Sequence, residues 1–94
     1  MRIKWLRTAL LDLDDLESHI AAQNPAAATD VIVKIIKAVA LLKEQQALGR
    51  AGRVPGTREL VISGLPYIVP YRCRDNEVQI LRVYHTSRKW PNRL

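Results

Sequence analysis

The chain has 94 residues, 15 of them Lys or Arg and 9 Asp or Glu, giving a formal charge of +6. That length allows one domain over residues 1–94 and excludes a second domain, a repeat array and a large cofactor-binding fold. With 48% apolar and 26% charged residues, the balance is that of a globular protein and not a disordered one.

Residues 2–6 alternate in character and predict a short strand. Thr8 is the expected N-cap of a helix in which Leu10, Leu13, Leu16 (or Leu11) and Ile20 recur at helical spacing. Asp12, Asp14, Asp15 and Glu17 lie among them, several in the early turns where the macrodipole favours anions. Asn24-Pro25 predicts a restart, with Asn as the cap and Pro at the first helical position. The second helix is expected to run to about Gln46, with Val31, Ile35, Val39 and Leu42 as its apolar stripe and Gly49 as its stop.

Residues 49–56 hold three of the four glycines and one proline, and predict a loop. Three strand-like runs follow, Arg58–Ser63, Tyr67–Arg72 and Glu77–Tyr84, with turns at Gly64-Leu65-Pro66 and Asp75-Asn76. Pro70 cannot donate to a ladder, so it predicts a bulge or an edge. Trp5 and Trp90 are expected to close the ends of the core. The order is β-α-α-β-β-β, an α+β fold with a helical hairpin packed on an antiparallel sheet.

The single Cys73 excludes an internal disulfide. Two histidines and one cysteine, far apart, do not make a zinc site, and no cofactor is expected. The start, Met1-Arg2-Ile3-Lys4-Trp5, has no apolar signal core. Lys34 and Lys37 interrupt the longest apolar stretch. The expectation is a soluble cytoplasmic protein without a membrane partner.

The charge is not evenly spread. Residues 1–48 carry six cations and six anions; residues 49–94 carry nine and three, and eight of those nine cations are arginine. Arginine is the fork-shaped binder of phosphate and carboxylate, so an anionic partner is expected to meet the C-terminal half. Arg50, Arg53, Arg58, Arg82 and Arg88 are the candidates for binding a nucleic acid or another target. Gly49-Arg50-Ala51-Gly52 matches the G-x-x-G of KH-type RNA binders, but a KH loop joins two helices and this one joins a helix to a strand.

The runs G-R-V-P-G-T-R-E-L-V-I, P-Y-I-V-P-Y-R and V-Q-I-L-R-V-Y-H-T-S-R-K-W-P resemble the RelE/ParE superfamily of bacterial toxins, and the first of them is closest to ParE-type members. D-L-D-D-L-E-S-H-I-A followed by N-P-A-A-A resembles that family's helical hairpin. The resemblance implies a toxin of a type II toxin–antitoxin module, associated with plasmid stabilisation and growth inhibition. It implies a cognate antitoxin that neutralises the toxin in a hetero-oligomer. It also implies one of two activities. ParE-type members poison DNA gyrase; RelE-type members are metal-independent endoribonucleases that cut mRNA on the ribosome. For the nuclease, the resemblance assigns His85 as general acid or base, Arg72 as stabiliser of the phosphorane and Glu59 as a base. The paired lysines of RelE have no counterpart, since the only lysine of the basic half is Lys89.

Overall fold

The computed structural model describes residues 1–87. The elements run β1 (Arg2–Trp5), α1 (Arg7–Ala21), α2 (Pro25–Ala40), β2 (Arg50–Ala51), β3 (Arg58–Val61), β4 (Tyr67–Arg74), β5 (Glu77–Ile80) and β6 (Tyr84–His85). The sheet order is β1-β5-β4-β3-β2, with β6 also paired to β4. The meander β3-β4-β5 is antiparallel, as the turns predict. Asp75 and Asn76 both take positive φ, 55° and 59°, the backbone of a tight two-residue hairpin turn. β1 departs from the all-antiparallel expectation: it lies parallel beside β5, so the sheet is mixed.

The two helices cover one face of this sheet. Ala9 and Leu13 of α1 and Ala28, Ile35 and Val39 of α2 are buried. They meet Leu60, Ile62, Val69, Tyr71, Val78 and Ile80, with Ile3 and Trp5 packed against the cluster. Trp90, the other expected core closure, lies outside the described residues. The α2 stripe is as predicted, and so are Leu13 and Leu16 of α1, but not Leu10. Leu10 and Leu11 are 51% and 52% exposed, and the small Ala9 takes the place against the sheet.

Asn24 caps α2 by accepting from the Ala27 amide at 3.1 Å, with Pro25 at the first helical position. Asn24→Ala is expected to cost about 1 kcal/mol, read as a lower urea midpoint with unchanged slope. An unchanged midpoint would show that the cap carries no stability. Thr8 is not a cap. α1 starts at Arg7 without a side-chain cap, and the Thr8 hydroxyl donates to the Leu81 carbonyl at 2.8 Å. α2 ends as an α-helix at Ala40, six residues before the expected Gln46. The chain continues through single turns of tighter 3₁₀ helix at Leu41–Lys43 and Gln46–Leu48.

Gly49 ends the 3₁₀ turn Gln46–Leu48 and not an α-helix, and it does so in extended backbone (φ −73°, ψ 152°), not the left-handed conformation of a helix-stopping glycine. A Cβ there would stand 2.6 Å from Tyr71 Cε1 and 2.9 Å from the Glu59 carbonyl oxygen, so glycine is required by close approach. The last predicted strand, Glu77–Tyr84, is broken into β5 and β6 by Leu81–Val83. Pro70 falls at that break. Its carbonyl accepts from the Leu81 amide at 3.0 Å, and the N–H it lacks would point where the partner strand has left the ladder.

Candidate functional site

Strand register decides which side chains share the sheet face that carries no helix. Glu59 stands opposite Arg50 and Pro70; Arg72 stands opposite Gln79, and Arg74 opposite Glu77. β1 adds Arg2 beside Glu77 and Lys4 beside Gln79. A period of two along each strand puts all of these on one side together with Val61 and Ile68, while Ile3, Trp5, Leu60, Val69, Tyr71, Val78 and Ile80 take the other.

Two buried acids organise this face. Glu59 is 1% exposed. Its Oε1 accepts from Arg50 Nε at 3.2 Å and Nη2 at 3.1 Å. Its Oε2 accepts from the Arg53 amide at 2.8 Å, with the Arg53 guanidinium at 3.7 Å. A buried carboxylate is tolerable only when its lone pairs are taken up in this way. The carboxylate thereby fixes the shape of the loop after β2. Farther across the sheet, Arg72 Nε donates to Gln79 Oε1 at 2.8 Å and Gln79 Nε2 donates to Glu77 Oε1 at 3.1 Å. Arg2 Nε closes the chain on Glu77 Oε2 at 3.1 Å. Hydrogen bonding from Gln79, then from Arg2, holds the Glu77 carboxyl below the usual carboxylate range, against its partial desolvation.

His85 lies elsewhere. It pairs with Tyr67, the two rings meeting edge to face with centroids 5.5 Å apart. Together with Asp15, Leu16 and His19 of α1 they line a hollow on the helix side. The His85 Nδ1 accepts from the Ser87 amide at 3.1 Å, which leaves the ring proton of the neutral form on Nε2. Among the described residues no three of His, Cys, Asp or Glu gather in a group able to hold a metal.

The structure therefore places Arg72 and Glu59 on the open face and His85 on the covered one. Arg58 also faces the helix side, donating to the Gly49 carbonyl at 2.9 Å. Arg82 is held by Asp12 of α1, through Nε at 2.7 Å and Nη2 at 3.0 Å, and lies 4.8 Å from the Tyr84 ring centroid. Arg50 and Arg53 share Glu59. Arg88 lies outside the described residues. Sequence reasoning missed Arg2, Lys4 and Arg74. The signal was the alternation of Arg2-Ile3-Lys4-Trp5, but nothing local says that this strand joins β5.

A second feature is apolar. Between the end of α2 and the edge of β3 lies a groove of about 360 Å³, lined by Ala38, Leu41, Leu48 and Val61, with Arg50 and Ser63 at its rim. β2 pairs only with Arg58 and Glu59, so the outer edge of β3 is uncovered from Leu60 onward among the described residues. Leu41, Leu48 and Val61 are 51%, 46% and 49% exposed.

Comparison with known proteins agrees with this architecture. A structure titled "Chromosomal ParDE TA system from P. aeruginosa" superposes with a TM-score of 0.85 at 34% identity, covering 90% of this chain and 95% of that one. The "Putative toxin Y4kP" of Sinorhizobium fredii is 44% identical over 96% of this chain and 93% of its own length. The "Toxin RelE2" of Caulobacter vibrioides is 31% identical over 93% of this chain and 97% of its own. Residues 3–90 match the family model described as the ParE toxin of the type II toxin–antitoxin system, parDE. Its two-helix, mixed-sheet fold and its sequence thus agree, and the chain belongs to the ParE toxin family within the RelE/ParE superfamily.

Proposed function

We propose that the chain acts in the cytoplasm as a growth-inhibiting toxin, held inert by an antitoxin in a hetero-oligomer, and that once free it inhibits DNA gyrase or a comparable target without cutting RNA. The observation that carries the last part is the separation of the nuclease residues. His85 faces α1 while Arg72 is on the opposite face of the sheet. Glu59, the expected base, is buried and already holds Arg50 and Arg53. General acid–base work needs its groups within hydrogen-bond reach of one reacting centre.

The antitoxin reading rests on the groove beside β3. An amphipathic segment fits it by placing apolar side chains among Leu41, Leu48 and Val61 and an acidic one on Arg50. The cleft lies at the junction of α2 with the sheet edge.

The second reading, ribosome-dependent mRNA cleavage, is favoured by the relative named "Toxin RelE2". It is also favoured by the way Gln79 anchors Arg72 through Nε, leaving its fork unbonded among the described residues. One experiment separates the two: growth inhibition by His85→Ala, followed by parallel supercoiling and translation assays on the purified toxin. On the proposed reading His85→Ala keeps its toxicity and supercoiling is blocked without ribosomes. A nuclease that relied on His85 would lose about 10²–10⁴-fold in activity. Cleavage of mRNA on ribosomes, lost in His85→Ala, would overturn the gyrase reading.

A further inference from the structure

The open sheet face carries two cross-strand rows of charge. Lys4, Gln79 and Arg72 make one; Arg2, Glu77 and Arg74 make the other. Each row puts a cation on β1 and a cation on β4, with a polar or acidic side chain of β5 between them. From strand geometry the rows are about 7 Å apart along the strands, and the flanking cations of one row about 10 Å apart across them.

The four cations are not equivalent. Arg2 and Arg72 are anchored at Nε by Glu77 and Gln79, and their terminal nitrogens have no partner among the described residues. Anchoring at Nε holds each guanidinium in place while its fork faces outward. Lys4 and Arg74 are exposed and make no hydrogen bond or ion pair among the described residues. The group is four cations around one buried carboxylate, a preorganised plate with positive charge in excess.

We propose that this plate docks on the phosphate backbone of duplex DNA, without regard to base sequence. Charge complementarity and the anchored forks call for oxyanions. Two observations choose duplex DNA among the polyanions. Single strands are gripped by stacking bases on exposed rings, and among the described residues this face offers none. Trp5, Tyr67 and Tyr71 point to the helices, and Tyr84 is 1% exposed. An acidic protein segment needs an apolar anchor beside the charges, and none of the exposed large hydrophobic side chains lies on β1, β4 or β5. The inference does not depend on which target the toxin poisons.

The test is fluorescence anisotropy of a short random-sequence duplex with the full-length toxin, across a salt series. The wild type is expected to bind with a dissociation constant of about 10⁻⁴–10⁻⁶ M. The double variant Lys4→Glu, Arg74→Glu is expected to lose at least about tenfold in affinity, and to lower the slope of log affinity against log salt by about 2. Lys4 acts on the Glu77 carboxylate through space and Arg74 stands opposite it, so the double variant is expected to melt lower. Thermal unfolding is measured and binding is compared well below both melting points. Lys4→Gln, Arg74→Gln, which adds no carboxylate beside Glu77, should also lose binding. Lys37→Glu, Lys43→Glu makes the same change in net charge on the helical side and should leave binding nearly intact. Equal losses from the two pairs would mean overall charge and no plate. No binding at low salt, or tighter binding of the corresponding single strand than of the duplex, would also overturn the proposal.

Discussion

Asp12→Ala is expected to lower the stability of the toxin by about 2–3 kcal/mol, a large share of what a domain of this size possesses. One carboxylate ties α1 to the segment between β5 and β6. It sits on α1, accepts two bonds from Arg82, and accepts a third from the Val83 amide at 2.9 Å. The side chains of Arg82 and Asp12 are only 25% and 15% exposed. Loss of Asp12 therefore leaves a charged guanidinium and a backbone donor without their acceptor in a place water reaches poorly. The same pair raises the Arg82 guanidinium further above its already high range, chiefly through the hydrogen bond to Asp12. Asp12→Asn keeps an acceptor and should lose less. Thermal unfolding reads the difference, at about 4–8 °C per kcal/mol for a chain of this size. A melting point within error of wild type for Asp12→Ala would show that the break between β5 and β6 is held by something else.

Tyr71→Phe is the second large effect, expected at about 2 kcal/mol. The phenol is wholly buried, donates to the Gln46 carbonyl at 2.6 Å and accepts from the Gly49 amide at 2.8 Å. Removing one oxygen strands both a donor and an acceptor, and no apolar gain offsets them. Burial pushes the Tyr71 phenol above its ordinary 10.0, opposed in part by the Gly49 amide and by Arg58. The unfolded chain releases this proton near 10.0, while the folded chain holds it to higher pH. Between those points the native state binds more protons, so stability is present below pH 10 and falls as pH rises above it. Tyr71→Phe should lose most of that alkaline decline along with its stability. Burial raises Tyr67 in the same direction, so a smaller decline should persist. Equal alkaline slopes in wild type and variant would show that Tyr71 does not govern it.

The same two residues show how far the sequence could be read. Local pattern found the hairpin helices, the meander and both turns, because periodicity, the Asn24-Pro25 restart and Asp75-Asn76 are short-range signals. The strand break at Leu81–Val83 is not one of these. It is imposed by Thr8 and Asp12, 70 to 73 positions away in the chain, which bond Leu81, Arg82 and Val83. Unbroken alternation over Glu77–Tyr84 therefore extends the expected strand past the point where the ladder ends. The early end of α2 has a similar origin: the Tyr71 hydroxyl and the Gln46 side chain take up carbonyls of this stretch, at Gln46, Leu42 and Lys43.

The candidate site was less legible than the fold. The split into a neutral and a basic half located the arginines, but it hid Arg2 and Lys4, whose charge the acidic helices cancel on paper and not in space. Arg58, Arg72, Arg82 and His85 all fall in the basic half of the sequence. Pairing sent Arg58 and His85 to the helix side and kept Arg72 on the open side.

The parallel seat of β1 bears on how the chain reaches this structure. Arg2 pairs with Glu77, 75 positions later, so the first strand to be synthesised waits for nearly the last before it acquires a neighbour. Closing so long a loop is entropically costly, and folds that depend on such pairings assemble slowly. During translation the helical hairpin can form early, while its sheet, and every charged row laid across β1, β5 and β4, comes together only at the end. β1 therefore gains its sheet neighbour only after β5 has been made.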